Sequence, residues 1–258
     1  MKRNVIATIL LATATLFAVS CTEKESIQPV PEPSDTPETD TVRLALIHTE
    51  VAQGPINMVT NRHLTWENGL LMKTVDSIYL NGVPSVSLEE IFVYENGNCT
   101  EKYSVDGKYH NYYNYENGRL AKMLSVINGD TTYITDLLEW NADGHVTKAK
   151  FSGDSVFRYA YYTWRNDDVT QIIFDYIEPA ASHDTVTYLY DSYPSTYTGY
   201  PLPLCFESLG FVTKASKHNV KSSGYTMNYE NGRLVSEISD DDQQKTYYTY
   251  TDGTGRRD

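Results

Sequence analysis

One short pattern returns along most of this sequence: an aromatic residue, a turn dipeptide, then an aliphatic residue. It reads Trp66-Glu-Asn-Gly-Leu-Leu, Tyr94-Glu-Asn-Gly-Asn-Cys, Tyr115-Glu-Asn-Gly-Arg-Leu, Trp140-Asn-Ala-Asp-Gly-His-Val, Trp164-Arg-Asn-Asp-Asp-Val and Tyr229-Glu-Asn-Gly-Arg-Leu, with a shortened Tyr250-Thr-Asp-Gly. Asn-Gly and Asp-Gly supply the positive φ angles of a tight hairpin turn, so each copy marks a hairpin corner. A two-residue turn at Asn231-Gly232 sets Glu230 opposite Arg233 and Tyr229 opposite Leu234. Continued without interruption, that register pairs Met227 with Ser236 and Tyr225 with Ile238. The same register around Asn117-Gly118 pairs Tyr113 with Lys122 and Asn111 with Leu124, which alternates poorly and points either to a bulge or to a sheet with two half-wet faces.

The corners recur at intervals of 21 to 28 residues, except in one region. Such a period holds two strands and two turns. Between corners, Thr74–Leu80, Ser87–Tyr94, Phe157–Trp164, Thr170–Ile177 and Thr185–Tyr190 read as strands, and no long run has a helical period. The pattern predicts an all-β fold: an up-and-down antiparallel meander of about twelve strands, forming a strongly curved sheet or barrel-like structure. The exception lies between Tyr190 and Tyr229. Pro194, Pro201 and Pro203 must leave the sheet or run along its edge. Leu204, Phe206 and Phe211, followed by the basic cluster Lys214, Lys217 and Lys221, are then expected to cover an open end or face as a flap or else to form one wall of a binding groove opposite the tyrosines.

The first part of the chain belongs to another regime. Lys2 and Arg3 precede an apolar run that ends in Ala18-Val19-Ser20-Cys21, the layout of a secretory signal. A Cys behind small residues resembles the lipobox of bacterial lipoproteins. That resemblance implies cleavage between Ser20 and Cys21, acyl chains on Cys21, and a place in the outer membrane on its periplasmic or cell-surface face. Thr22 to Thr41 is rich in Pro and acid and has almost nothing to build a core from, so it is expected to be a disordered tether. The expected organisation is therefore a signal peptide over 1–20, a lipidated Cys and tether over 21–41, and a single repeat-built domain over 42–258.

The corners resemble the YD repeats of bacterial Rhs-type and teneurin-type shells. Anchor, length and spacing are also similar to a family of bacterial lipoproteins with a porin-like sheet. The resemblance covers roughly Val42 to Asp258 and implies a fold; it carries no activity.

Charge narrows the partners. The whole chain has a net charge of −13, and loss of Lys2 and Arg3 with the signal takes it to −15. A surface of that sign repels phosphate backbones, so nucleic acid is not an expected partner. It also argues against a lipid-facing pore, which needs an outward apolar band. The six histidines show no ligand spacing and no C-x-x-C exists, so no metal or cofactor is expected. Asp240-Asp241-Asp242 reads as a solvated turn rather than a calcium loop. Cys99 stands where other corners have an aliphatic residue, which suits a buried free thiol.

Tyrosine is the oddity, at 22 residues against 7 Phe and 3 Trp. Rings on a sheet face suit the stacking of sugars or apolar peptide side chains. Tyrosine also favours strands with two half-exposed faces, so its abundance fits either reading. The candidate ligand-binding residues are Tyr159, Tyr161 and Trp164 with Lys214 and Lys217. The reading is a non-enzymatic module that binds or scaffolds a glycan or polypeptide. A carboxylate-based hydrolase of a polymer and a purely structural envelope component are the alternatives. Aromatic rings in a groove without paired carboxylates would favour binding over hydrolysis.

Overall fold

The computed structural model describes residues 42–153, 156–206, 212–221 and 223–251. The expected signal, Ser20, Cys21, the tether and Phe211 lie outside these residues. The chain opens with β1 (Arg43–Gln53), β2 (Ile56–Glu67), β3 (Leu70–Leu80), β4 (Val83–Glu95), β5 (Asn98–Ser104) and β6 (Tyr109–Glu116). It continues through β7 (Arg119–Ile127), β8 (Asp130–Trp140), β9 (Val146–Gly153), β10 (Val156–Arg165), β11 (Asp168–Glu178) and β12 (Ser182–Thr187). A crossover follows: β13 (Tyr190–Pro194), a one-turn helix α1 (Leu202–Phe206), a 3-10 turn over Val212–Ala215, and β14 (His218–Val220). The chain ends in β15 (Tyr225–Glu230), β16 (Arg233–Ser239) and β17 (Gln244–Thr251).

These strands build a 15-stranded antiparallel sheet in the order β12 down to β1, then β17, β16 and β15. The meander is as the corners predict, with more strands than expected. The surplus includes β1, which precedes the hairpin of the first corner. The ladder is open, with β12 and β15 as its edges, and β13 pairs with β14 as a separate ribbon.

Asn117 and Asn231 adopt φ of 51° and 49°, and Gly118 and Gly232 both adopt 76°, as a hairpin turn demands. Glu230 faces Arg233 and Tyr229 faces Leu234, as expected. Beyond those pairs the uninterrupted register fails. Met227 faces Glu237 and Tyr225 faces Ser239, because the ladder slips between Asn228 and Tyr229. Likewise Tyr113 faces Met123 and Asn111 faces Ser125, with the expected bulge between Asn114 and Tyr115.

The slip is general. The residue after the corner's aliphatic side chain is passed over in the ladder: Met72, Thr100, Ala121, Thr170 and Val235. A bulge of this kind switches which face the following residues occupy. Buried side chains therefore fall three apart, as Leu71/Thr74, Cys99/Lys102, Leu120/Met123, Val146/Ala149 and Val169/Ile172. Simple alternation cannot reproduce that spacing.

The inner face carries the core, including Phe92, Phe151, Phe174 and Leu234. It also holds ion pairs: Lys102 to Glu90 at 2.8 Å, and a two-pronged contact of Arg62 on Asp76 at 2.7 and 2.6 Å. The crossover packs against this face. Phe206 is 2% exposed and meets Tyr162 edge-on, and Leu204 and Cys205 are buried beside it. The prolines do leave the sheet, and Leu204 and Phe206 behave as the expected cover. The crossover also bridges the two sheet edges. On one side His218 takes Asp168 through its backbone N–H at 3.0 Å and its ring at 2.8 Å. On the other, the Tyr229 hydroxyl donates to Asp191 while Tyr193 stacks on Tyr229 at 4.2 Å.

Candidate functional site

All the corners lie at one end of the sheet, and their aromatic residues form a girdle. Trp66 donates its indole N–H to the carbonyl of Leu44 at 2.7 Å, and Trp164 donates to Val146 at 2.7 Å. The hydroxyls of Tyr94, Tyr115 and Tyr250 donate to the carbonyls of Leu71 (2.8 Å), Cys99 (3.0 Å) and Leu234 (2.8 Å). In each case the acceptor is the aliphatic residue of the preceding corner. The aromatic therefore ties one hairpin to the next, and Tyr190 in the crossover does the same to Val169 at 2.7 Å. The rule extends to the two ends of the domain: Leu44 faces Tyr250 across the ladder, as Leu234 faces Tyr229. The meeting of β1 and β17 is a corner without a connecting turn.

Trp140 departs from this arrangement. Among the described residues its indole makes no hydrogen bond to the backbone of the preceding corner, although its ring still meets that corner's Arg119 guanidinium, 5.7 Å from the ring centre, as Tyr250 meets Arg233 at 5.9 Å. The sequence supplies the cause. Trp140 to Val146 spans one residue more than Tyr115 to Leu120, and the ladder slips twice there rather than once.

A cleft of about 490 Å³ opens at this departure. Tyr94, Tyr115, Trp140 and Tyr200 line it with Arg119 and Asn98. Because the hydroxyls of Tyr94 and Tyr115 are tied to the backbone, these residues present ring surface. A second cleft of about 460 Å³ shares Gly199, Tyr200 and Leu202 with the first and adds Tyr197, Lys214, Ser216 and Lys217. Gly199 has φ of 86°, and a side chain there would sit 3.6 Å from Nε of Arg43 and 3.9 Å from Trp66. The crossover thus hooks into the girdle between the clefts. Lys214 stands 5.1 Å from the centre of the Tyr197 ring. Burial pushes the Tyr197 hydroxyl up to about 12, so it stays a neutral donor.

The expected ligand-binding residues are dispersed. Lys214 and Lys217 line the second cleft. Trp164 packs with the core, bonded to Val146 and stacked on His145 at 4.3 Å. Tyr159 and Tyr161 alternate with buried Arg158, Ala160 and Tyr162, so they lie on the opposite face of β10 from the core. There Lys148 sits 5.7 and 5.5 Å from their ring centres and pairs with Glu139 at 3.1 Å. Trp140, Arg119, Tyr94 and Tyr115 stand out in the sequence as corner residues and not as ligand-binding candidates, and Tyr200 does not stand out at all. The extra residue in the Trp140 corner is the signal that marks them. Among the described residues, no group of three or more His, Cys, Asp or Glu is placed to hold a metal ion. Cys99 and Cys205 are both buried free thiols.

No protein-family model matches the chain, and no curated protein is similar to it in sequence. Among solved structures it is similar to a porin-like protein from Bacteroides uniformis. The likeness has 12% identity and a TM-score of 0.54, and it covers 83% of this chain and 98% of that one. At that identity it supports the fold.

Proposed function

We propose that this chain is an envelope lipoprotein whose domain binds a glycan at the corner end of its sheet. The carrying observation is Trp140, a corner aromatic whose indole makes no hydrogen bond to the preceding corner among the described residues and which lines an open cleft with Tyr94, Tyr115 and Tyr200. Ring faces beside a few polar donors, here Arg119 and Asn98, suit the alternating apolar and hydroxyl faces of sugars. The described lining of both clefts contains no Asp or Glu. That composition favours binding over carboxylate-based hydrolysis.

The anchor reading places the point of attachment. Val42 leads into β1 at the corner end, so a tether from Cys21 would enter the domain on the side of the clefts. An extended tether over 22–41 would allow a separation of about 60 Å at roughly 3.1 Å per residue. Cross-strand pairs such as Lys73 with Glu89 at 2.5 Å and Lys122 with Asp136 at 3.5 Å give the wall charged side chains facing water, which suits a domain held beside the bilayer.

Two measurements test the proposal. The mature protein should retain glycans on an array, and Trp140→Ala should abolish retention in protein whose melting transition shows that it is still folded. Retention unchanged in Trp140→Ala would remove the cleft from the account. Separately, Cys21→Ser should lose labelling by a fatty-acid analogue and leave the membrane fraction; a variant still labelled and membrane-bound would end the anchor reading.

A further inference from the structure

The rings that line the first cleft close three consecutive corners. Tyr94, Tyr115 and Trp140 belong to β4, β6 and β8, which are alternate strands of one ladder. Alternate strands lie about 9.5 Å apart, so the three corners are stepped by that distance along the rim. The side chains are also turned along that line. The Tyr94 hydroxyl reaches sideways from β4 to Leu71 on β3, the Tyr115 hydroxyl from β6 to Cys99 on β5, and the Trp140 ring from β8 to Arg119 at the start of β7. The two hydroxyl bonds hold their rings in place before any ligand arrives.

The row is bounded by rings that the protein covers itself. Trp66, the corner aromatic before Tyr94, is met edge-on by Tyr200 of the crossover at 5.9 Å. Trp164, the corner aromatic after Trp140, is stacked against His145 at 4.3 Å. Among the described residues no ring is set in this way against Tyr94, Tyr115 or Trp140, and all three line the cleft.

From this row we infer that the glycan is an extended, linear chain with a two-sugar repeat, held along the rim by three successive disaccharides. The inference rests on the glycan reading above. In an extended chain, alternate sugars turn the same face to the same side, and one disaccharide is about as long as the step between corners. Every second sugar then lies on a ring, in turn on Tyr94, Tyr115 and Trp140. A coiled or branched chain loses that match after the first ring. Asn98 in the Tyr94 corner and Arg119 beside Trp140 supply hydrogen-bond donors toward the two ends of the row. Because the three places take one joined ligand, each engaged disaccharide raises the effective concentration of the next, and individually weak contacts accumulate.

The test measures binding of the mature protein to chains of increasing length, from disaccharide to octasaccharide. Cello-oligosaccharides and chito-oligosaccharides serve as extended chains and malto-oligosaccharides as coiled ones, beside the general glycan array. Affinity for an extended series should rise about threefold to tenfold with each added disaccharide as far as the hexasaccharide, and the octasaccharide should bind no better. The coiled series should gain nothing beyond its disaccharide. Asn98→Trp, which fills the Tyr94 end of the cleft, should bring the plateau forward to the tetrasaccharide and leave disaccharide affinity unchanged in protein whose melting transition shows that it is folded. The length series on the unaltered protein needs no variant. An extended disaccharide held as tightly as its hexasaccharide would overturn the row and leave glycan binding at Trp140 standing. So would a coiled series that matches the extended one, retention confined to branched glycans, or an equal loss at every length in Asn98→Trp. Retention of no glycan at all would end both readings.

Discussion

The two ends of the sheet use the same turn chemistry and achieve different things with it. At the far end, Asn81-Gly82 and Asn128-Gly129 adopt the same left-handed pair of conformations as Asn117-Gly118, and bulges sit beside them between Ile78 and Tyr79 and between Ser125 and Val126. Among the described residues, the far end does not repeat the series of aromatics bonded to the carbonyl of the preceding turn. Val83, Val105 and Ile127 there are 65%, 58% and 42% exposed, whereas Leu71, Leu120 and Val169 in the girdle are at most 1% exposed. A turn dipeptide makes a hairpin; the aromatic-to-carbonyl bond joins one hairpin to the next. The corner end is therefore where the meander becomes a single body, and also where a missing bond can open a site.

The sharpest way to break this comparison is to cut apolar side chains at both ends. Leu71→Ala should cost about 2–5 kcal/mol in urea unfolding, as for other fully buried leucines. Val83→Ala should stay within about 0.5 kcal/mol, as for surface changes away from special features. Equal losses would show that the girdle is no more important than the far rim.

Turn glycines should behave alike at both ends, because their role is local. Gly118→Val and Gly129→Val, at φ of 76° and 89°, should each destabilise by about 1–3 kcal/mol. A large difference between them would mean that turn strain, and not the aromatic bond, separates the two ends.

The seam between the sheet edges sharpens the comparison with a pH signature. Burial pushes the Glu237 carboxyl from 4.5 up to about 7; the Tyr248 hydroxyl opposes the shift and the charge of Asp191 adds to it. The fold prefers this carboxyl protonated. Its contribution is therefore full below the ordinary carboxylate pKa and is lost as pH rises from about 4.5 through about 7. The melting temperature should fall across that window, and Glu237→Gln should remove the fall. A variant with an unchanged pH profile would exclude Glu237 as the source.

Smaller still is the hydroxyl of one girdle residue. Tyr94→Phe strands the Leu71 carbonyl and should cost about 1 kcal/mol. Tyr112→Phe, on an exposed ring, should cost nothing measurable. Equal costs would remove the inter-hairpin bond as a source of stability.

Much of the fold was legible in the sequence because its signals are local. Asn-Gly places the turns, and the first pair beside each turn follows, as Tyr229 with Leu234 shows. The register beyond that pair was not legible at Leu234, where the uninterrupted pattern alternates well and conceals the slip, whereas poor alternation beyond Leu120 pointed to one. The prolines of Ser192–Pro203 correctly marked the exit from the sheet. The site was less legible for a related reason. A cluster such as Tyr159, Tyr161 and Trp164 is continuous in sequence, yet strand alternation divides it between two faces. Trp140 looked like any other corner aromatic, and only the one-residue excess before Val146 distinguishes it.

The central claim is that the indoles of Trp66 and Trp164, tied to a neighbouring backbone carbonyl, support the fold, while that of Trp140, not so tied, meets ligand in the first cleft. The chain has 3 tryptophans, and all of them are corner residues. Solvent exchange of the indole N–H protons, followed by NMR in protein labelled with 15N-tryptophan, reads the claim directly. Trp66 and Trp164, bonded to Leu44 and Val146, should exchange slowly, while Trp140 should exchange fast and be the one whose resonance moves when a retained glycan is added. An indole of Trp140 as protected as the other two, or a glycan-induced shift at Trp66 or Trp164 and not at Trp140, would contradict the account.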